Sequence, residues 1–314
     1  MAAPHRILVL KLGALGNVIL SLGPFAAIRR HHANACITLL TSGPFAGWLT
    51  RAPWFDAVWV DERPEWWDLP GWMRLRRRLI GGRFELAYDL QTSSRSSRYF
   101  QLFPHISRPA WSGIAYRCAL PDRDPNRNRM HDIDRQYGQL RQAGITRREP
   151  VDLSWSEADL ARFGLPEHYA LLVPGSSAHR PKKRWPIQRY AELAAMLASG
   201  GMTAVVIGTA LERPLARAIT GAIDLTGRTD LSDLTSLARA ARLAVGNDTG
   251  PMHLFAAAGC PSVALFSCES DPTMCAPRGP VVNVLRRPHL SELDIASVMA
   301  AIAAIVPSGV MARG

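Results

Sequence analysis

Val245 to Pro261 reads VGNDTGPMHLFAAAGCP. Leu243 to Val245 is the end of an apolar strand, Gly246 and Gly250 loosen the polar turn that follows, and an apolar helix is expected from about Met252 to Ala258. Asp248 or Thr249 suits the N-cap, and Pro251 suits the first helical position. The N–H groups of such a first turn have no partner within the helix, and the helix dipole adds to their positive potential, so the turn favours an anion, with His253 beside it. The expected ligand carries phosphate. A plain βα turn, with its Asp as cap and its His merely exposed, reads the same residues equally well, so the rest of the chain has to decide.

Outward from this segment the alternation of strand and helix continues. Toward the N-terminus lie a strand at Tyr169 to Val173, a glycine and serine loop, a helix at Ile187 to Ala198, a strand at Thr203 to Gly208, and helices at Glu212 to Thr220 and Leu231 to Ala240. Strands at Ser262 to Phe266 and Val281 to Leu285 follow the segment, and an apolar helix from Ser291 to Val306 ends the pattern. Ile187, Tyr190, Leu193, Ala194 and Leu197 fall at helical spacing and predict one buried face. The first half repeats the pattern, with strands at Arg6 to Leu12, Ala35 to Leu40, Ala57 to Val60 and Leu86 to Leu90. Helices are expected at about Val18 to Arg30, Phe45 to Thr50, Met73 to Leu79 and His131 to Ala143. Repeated β/α alternation predicts mostly parallel sheets covered on both faces.

The 314 residues exceed the usual single-domain length of about 100–200, so two domains are expected. Composition breaks at Pro121 to Arg129 and at Arg147 to Pro150 place the linker between about Thr146 and His168. The expected division is an N-terminal Rossmann-like domain over 1–155 and a C-terminal one over 156–314, with the last helix packing back on the N-terminal domain. Two such halves facing a central cleft would bind ligands at the carboxyl ends of their strands.

No apolar run reaches the roughly 18–20 residues of a membrane span, and Met1 to Arg6 leads into a strand without a signal-peptide core, so a cytoplasmic protein is expected. Cys36, Cys118, Cys260, Cys268 and Cys275 are scattered and odd in number, which fits reduced thiols; neither a metal site nor a cofactor is expected. The net charge of +11 calls for an anionic partner. Arg74, Arg76, Arg77 and Arg78 directly follow Trp66, Trp67 and Trp72, an interleaving that suits a membrane interface and fits an ordinary solvated helix with core tryptophans equally well. No helix-turn-helix, RNP or KH signature accompanies the charge, which argues against nucleic acid.

Two further segments carry chemistry. In VPGSSAHRPKKRWP, Val173 to Pro186, a strand empties into Pro-Gly-Ser-Ser, and Lys182, Lys183 and Arg184 precede Trp185. Ser176 and Ser177 have hydroxyls and N–H groups to offer a phosphate, and a lysine neutralises it. No Gly-Lys-Ser/Thr follows, so this is not a Walker A loop. In KLGALGN, Lys11 to Asn17, Gly13 and Gly16 are spaced loosely like a dinucleotide loop at the end of the first strand.

Together the three segments resemble glycosyltransferase family 9, best known for the ADP-heptose:lipopolysaccharide heptosyltransferases, inverting enzymes of the GT-B fold. The resemblance covers nearly the whole chain. It rests on the lysine and glycines after the first strand, the PGSS…KKRWP block with RYAELAAML, Gly208 with Glu212, DLTGRTDLSDL from Asp224 to Leu234, and above all DTGPMHLFAAAGCP. It implies that Lys183 meets the donor's phosphates, that Asp248, Thr249 and Gly250 grip sugar and diphosphate beside His253, that Glu212 holds the ribose, and that Thr229 lines the adenine pocket. An aspartate beside a phosphate would repel it; as an acceptor for sugar hydroxyls, or as a helix cap, Asp248 makes sense.

The implied reaction moves a heptose or related sugar from an ADP-sugar to a lipopolysaccharide core or similar anionic, lipid-linked glycan, with peripheral contact at the inner face of the cytoplasmic membrane. One position departs from the family. The glycine turn usually ends in Gly-Asp, and that aspartate is taken as the base for the acceptor hydroxyl; here it is Asn17. An amide does not accept a proton at neutral pH. Asp89, His131 and Asp132 are the alternative bases, and a nucleotide-sugar-binding member with impaired catalysis is the alternative reading.

Overall fold

The structure, a computed structural model, describes residues 4–177 and 179–306. The chain divides into two compact units, Met1–Trp155 and Ser156–Gly314. In the first, strands β1 (Arg6–Leu10), β2 (Cys36–Ser42), β3 (Ala57–Asp61), β4 (Leu86–Asp89), β5 (Ala110–Gly113) and β6 (Leu120–Pro121) form one sheet in the order β3-β2-β1-β4-β5-β6. In the second, β7 (Tyr169–Val173), β8 (Thr203–Val206), β9 (Ile223–Asp224), β10 (Leu243–Asn247), β11 (Ser262–Phe266) and β12 (Val282–Arg286) take the order β12-β11-β10-β7-β8-β9. Every pairing is parallel. Counted within each unit, both sheets have the order 3-2-1-4-5-6, the doubly wound arrangement of dinucleotide-binding folds.

Central strands explain themselves. LVL of β1, YALLV of β7 and SVALF of β11 are buried on both faces, as parallel strands under helices must be. The Ile187–Ser199 helix lays Tyr190, Leu193, Ala194 and Leu197 into the second core, with Ile187 partly buried at its edge. In the first unit Leu8 and Leu10 of β1 meet Tyr99, Phe100, Phe103 and Trp111. Each fully buried leucine of this kind contributes about 1.5–3 kcal/mol.

The structure differs from the sequence expectations in several elements. The helix expected over Val18 to Arg30 is two, Leu15–Ile19 and Leu22–His31. Pro24 has no N–H to give a continuous helix and crowds the carbonyl one turn back, so the chain restarts just before it, and Pro24 lies in a first turn. The Ser94–Leu102 helix and the strands β5, β6 and β9 are absent from the sequence reading. The two-residue strands β6 and β9 carry no periodicity, the four residues of β5 carry little, and SRSSRYFQL is mostly polar, with only Ser96, Tyr99 and Phe100 buried. In the last helix, Ile295–Ala303, Val298, Ala301 and Ile302 lie in the core of the second unit with Trp185 and Leu197. No helix among the described residues is long and apolar enough to cross a membrane.

The order 3-2-1-4-5-6 creates a switch point in each sheet. In the first it lies where β1 and β4 end, in the second where β7 and β10 end. Connections leave these neighbours toward opposite sides, which opens a crevice at their carboxyl ends.

Candidate functional site

At the second switch point β7 runs into Pro174–Ser177 and β10 into Asp248 and Thr249. Asn247, the last residue of β10, is fully buried and ties three segments together. Its amide donates to the carbonyls of Pro174 (2.8 Å) and Gly175 (3.2 Å), and its oxygen accepts from Trp185 N (3.0 Å) and the Tyr190 hydroxyl (3.1 Å). Trp185 is also held by its indole N–H, which donates to the Leu293 carbonyl at 2.8 Å. The segment before Trp185 is therefore suspended from a fixed point, and Lys183 lies two residues ahead of it.

Lys183 Nζ pairs with Asp248 Oδ2 at 2.5 Å, and the Ser270 hydroxyl donates to the same oxygen at 2.6 Å. Both ion-pair side chains are nearly buried, 11% and 8% exposed, so their attraction is screened far less than on a surface. Next to them the Gly250–Ala257 helix begins with Thr249 as N-cap residue. The Thr249 side chain makes no capping bond; its hydroxyl donates back to the Asn247 carbonyl at 3.1 Å. Asp248, the other expected cap, is engaged with Lys183, because a cation within reach outcompetes a backbone N–H for a carboxylate. The first-turn N–H groups are thus left without a side-chain cap. His253 lies in the buried part of this helix rather than on an exposed face.

Glu212 follows β8, the second strand of this sheet. It closes a capping box with Thr209, accepting from Thr209 N at 2.7 Å and from its hydroxyl at 3.1 Å. Its carboxylate rests on the glycine loop: a Cβ on Gly175 would lie 1.5 Å from Glu212 Oε1, and one on Gly208 2.8 Å from Oε2. A carboxylate at the end of the second strand is where dinucleotide folds hold a ribose hydroxyl. Thr229 lies, half-buried, in the loop after β9, where Gly227 (φ +70°) packs on the Ala210 backbone and donates to the Gly208 carbonyl at 2.8 Å. The two loops are therefore one surface.

The serines divide. Ser177 is exposed. Ser176, expected to offer its hydroxyl to a phosphate, uses it within the loop, donating to the Arg180 carbonyl (3.3 Å) and accepting from Arg184 Nε (3.1 Å). Arg184 also donates to the Ser176 carbonyl at 3.2 Å, so this arginine holds the loop.

The first switch point is built differently. Lys11 is buried; its ammonium donates to the Leu90 carbonyl at 3.0 Å and faces Asp132 at 3.6 Å. It is a strut between β1 and β4 rather than a ligand for an external anion. Burial lowers the pKa of Lys11, with Asp132 acting against that shift. Burial raises the Asp132 carboxyl, but Lys11 and Arg135 outweigh it and leave its pKa below the usual value. His131 is buried as N-cap of the Asp132–Gln142 helix, Nδ1 accepting from Ile133 N at 3.3 Å. Asp89 is fully buried at the end of β4; Oδ1 accepts from Thr92 N at 2.9 Å, and Oδ2 has no hydrogen-bond partner among the described residues. Burial pushes its pKa up to about 6.

Gly13 has φ +121°, and a Cβ there would lie 2.7 Å from the Phe45 ring, so the turn admits only glycine. Gly16 is buried, whereas Asn17 is exposed on the Leu15–Ile19 helix. The Asn17 carbonyl accepts from the Ser21 hydroxyl at 2.7 Å. The sequence reading missed Asn247, Ser270 and the role of Arg184. Asn247 left a signal, a polar residue ending an otherwise apolar strand; Ser270, on the loop after β11, left none.

A doubly wound sheet in each of two units is the architecture of the GT-B fold. Comparison with known proteins gives the family. The family model of glycosyltransferase family 9 (heptosyltransferase) matches residues 72–301, and the chain belongs to that family. It is similar to lipopolysaccharide heptosyltransferase 2 of Salmonella typhimurium, with 26% identity over 90% of this chain and 88% of that protein. Among solved structures it is similar to a glycosyl transferase family 9 protein of Veillonella parvula (TM-score 0.81, 21% identity, 97% and 98% of the two chains). A second is the ADP-heptose lipopolysaccharide heptosyltransferase II of Escherichia coli (TM-score 0.76, 22% identity, 96% and 98%).

Proposed function

We propose that this glycosyltransferase moves a heptose from ADP-heptose, with inversion, onto a lipopolysaccharide core or a related anionic, lipid-linked glycan. The observation that carries the reading is the Lys183–Asp248 pair beside an uncapped helix start at the second switch point. The names of the similar proteins, heptosyltransferases acting on lipopolysaccharide from ADP-heptose, supply the sugar and the acceptor class. In this reading residues 156–314 bind the donor and residues 1–155 the acceptor, whose phosphates or carboxylates meet the basic surface expected from the net charge of +11.

The donor diphosphate takes Lys183 from Asp248, and the released carboxylate accepts from sugar hydroxyls. Thr249, Gly250 and the N–H groups behind them face the phosphates; Glu212 accepts from the ribose, and Thr229 borders the adenine. Ser177 stays available to phosphate, while Ser176 acts through the loop it holds. In a single displacement the acceptor oxygen forms its bond to the anomeric carbon as the bond from that carbon to the β-phosphate oxygen breaks. Charge accumulates on the departing ADP, where Lys183, the helix start and His253 stabilise it. The acceptor proton needs a base. Asn17 orients but does not accept, His131 caps a helix and Asp132 is the counter-ion of Lys11. Asp89 is the remaining carboxylate, its pKa raised by burial to about 6.

A second reading rests on Asn17 itself: a family member that binds the nucleotide sugar without turning it over. Isothermal titration separates donor binding from catalysis. Lys183→Ala is expected to weaken ADP at least tenfold, since it removes the phosphate's counter-charge and leaves Asp248 unpaired beside it. Asp248→Ala is expected to weaken ADP-heptose more than ADP. Absence of ADP binding by the unmodified protein, or unchanged binding in Lys183→Ala, would sink the donor assignment.

A further inference from the structure

The chain has nine tryptophans, and only Trp66 and Trp67 are exposed, at 79% and 65%; they are adjacent in sequence and their rings meet edge to face at 5.2 Å. Leu69, 69% exposed, and Met73 extend the apolar surface onto the Leu69–Gly81 helix. That helix buries Gly71, Leu75 and Leu79, so its opposite face carries Leu69, Met73 and Arg77. Arg74 and Arg78 are exposed beside them, and Arg63 is exposed at the strand exit. The corner is thus apolar at its tip and cationic one to two turns further along.

The tryptophans do not project from slack chain. Trp72 Nε1 donates to the Glu65 carbonyl at 2.9 Å, Arg95 donates to the Pro64 carbonyl at 3.3 Å, and Asp68 caps the helix through Gly71 N at 2.8 Å. Trp72 itself packs edge to face on Tyr99, and the Tyr99 hydroxyl donates to Asp61 at 2.6 Å. The loop is fixed from both sides while two large rings are held outward, an arrangement water disfavours unless another phase covers them. Carboxylates are present: Asp68 caps the helix and lies 4.0 Å from Arg74, Glu62 lies 3.7 Å from Arg74, and Glu65 is exposed beside Trp66. Arg77 has no acidic partner among the described residues.

We propose that this corner docks the protein on an anionic phospholipid bilayer, with Trp66, Trp67 and Leu69 in the interfacial zone and Arg63, Arg74 and Arg77 on headgroup phosphates. Paired exposed indoles with arginines behind them match the depth order of a bilayer surface, apolar below and phosphate above. The inference deepens the reading of a lipid-linked acceptor by naming the surface that meets the membrane. It is tested without that acceptor.

The full chain is sedimented with vesicles of phosphatidylcholine alone and of phosphatidylcholine with phosphatidylglycerol, with tryptophan emission read in parallel. Binding to the anionic vesicles only, with a blue shift, is expected. Trp66→Ala with Trp67→Ala should lower binding at least tenfold and abolish the shift, while Arg77→Gln should cost about fivefold and flatten the salt dependence. ADP titration of the same variants should be unchanged, which shows that they fold and keeps the donor assignment separate from this one. Equal binding to both vesicle types, no binding, or insensitivity to the tryptophan pair would overturn the proposal. So would dimerisation in light scattering that disappears with the tryptophans, which would assign the corner to a second copy of the chain.

Discussion

Lys183 and Asp248 neutralise each other in the structure, and Ser270 adds a hydroxyl to the same carboxylate oxygen. In the proposed function the site binds a diphosphate by exchange: the lysine trades one anion for another, and the carboxylate turns to hydroxyls. The sequence placed both residues near a phosphate, but not in contact with each other, because they stand in separate segments joined only by the β7–β10 neighbourhood. Asn17 stands where the family resemblance leads one to expect the aspartate base. It is exposed and its side chain carries no bond among the described residues, so a carboxylate fits there without repacking. If the acceptor hydroxyl is activated at this position, Asn17→Asp raises transfer to a lipopolysaccharide-type acceptor, typically by about 10²–10⁴-fold, in a radiolabelled-sugar assay. If another base serves, the variant gains little. Turnover appearing only in the aspartate variant would favour the binding-protein reading for the natural chain.

At the scale of the element, the glycine loop after β7 and the turn after β8 were both legible, and their interlock was not. The missing side chain of Gly175 makes room for Glu212. Gly175→Ala pushes a methyl group into the end of a flexible side chain rather than into backbone, so the fold should survive with a stability loss near 1 kcal/mol or less. Glu212, however, has to leave its place. Gly175→Ala and Glu212→Ala are therefore expected to weaken ADP by similar factors, roughly tenfold, and the double variant should be no worse than either alone. Additive losses in a calorimetric double-mutant cycle would contradict this coupling. Among helices, amphipathic ones such as Ile187–Ser199 and Leu231–Ala240 announced themselves, whereas Ser94–Leu102 did not, since three buried side chains in a polar segment make a weak period.

Among the groups that set the whole molecule's response to pH, buried Asp89 and half-buried His32 in the first unit act in opposite directions. Burial raises Asp89 to about 6 from its ordinary 3.8, so the stability tied to its neutral form is present at low pH and is lost as pH rises through that range. His32, whose Nε2 meets the Tyr88 hydroxyl at 2.8 Å, is pushed down to about 4 by burial, with His31 and Arg29 adding to the shift. Its stability is present above the ordinary imidazole pKa and is lost as pH falls toward 4. Between pH 4 and 6.5 the two offset each other. Urea unfolding across that window should be nearly flat for the natural chain, rise with pH for Asp89→Asn by about 2–3 kcal/mol, and fall for His32→Gln. A slope unaffected by either change would remove these groups from the account. At this scale the sequence by itself determined two doubly wound halves, because strands buried on both faces and helices with one apolar stripe are periodic along the chain. It also singled out Lys183, Asp248 and Glu212, through the resemblance of their segments to the family's pattern. Only the tertiary structure decided that Lys11 is a strut, that Ser176 belongs to its own loop, that Asn247 ties the Pro174–Gly175 loop to Trp185, and that two tryptophans stand out of the core. The physical reason is that burial and pairing depend on which strands become neighbours, and in a parallel sheet those neighbours are separated by whole helices of sequence.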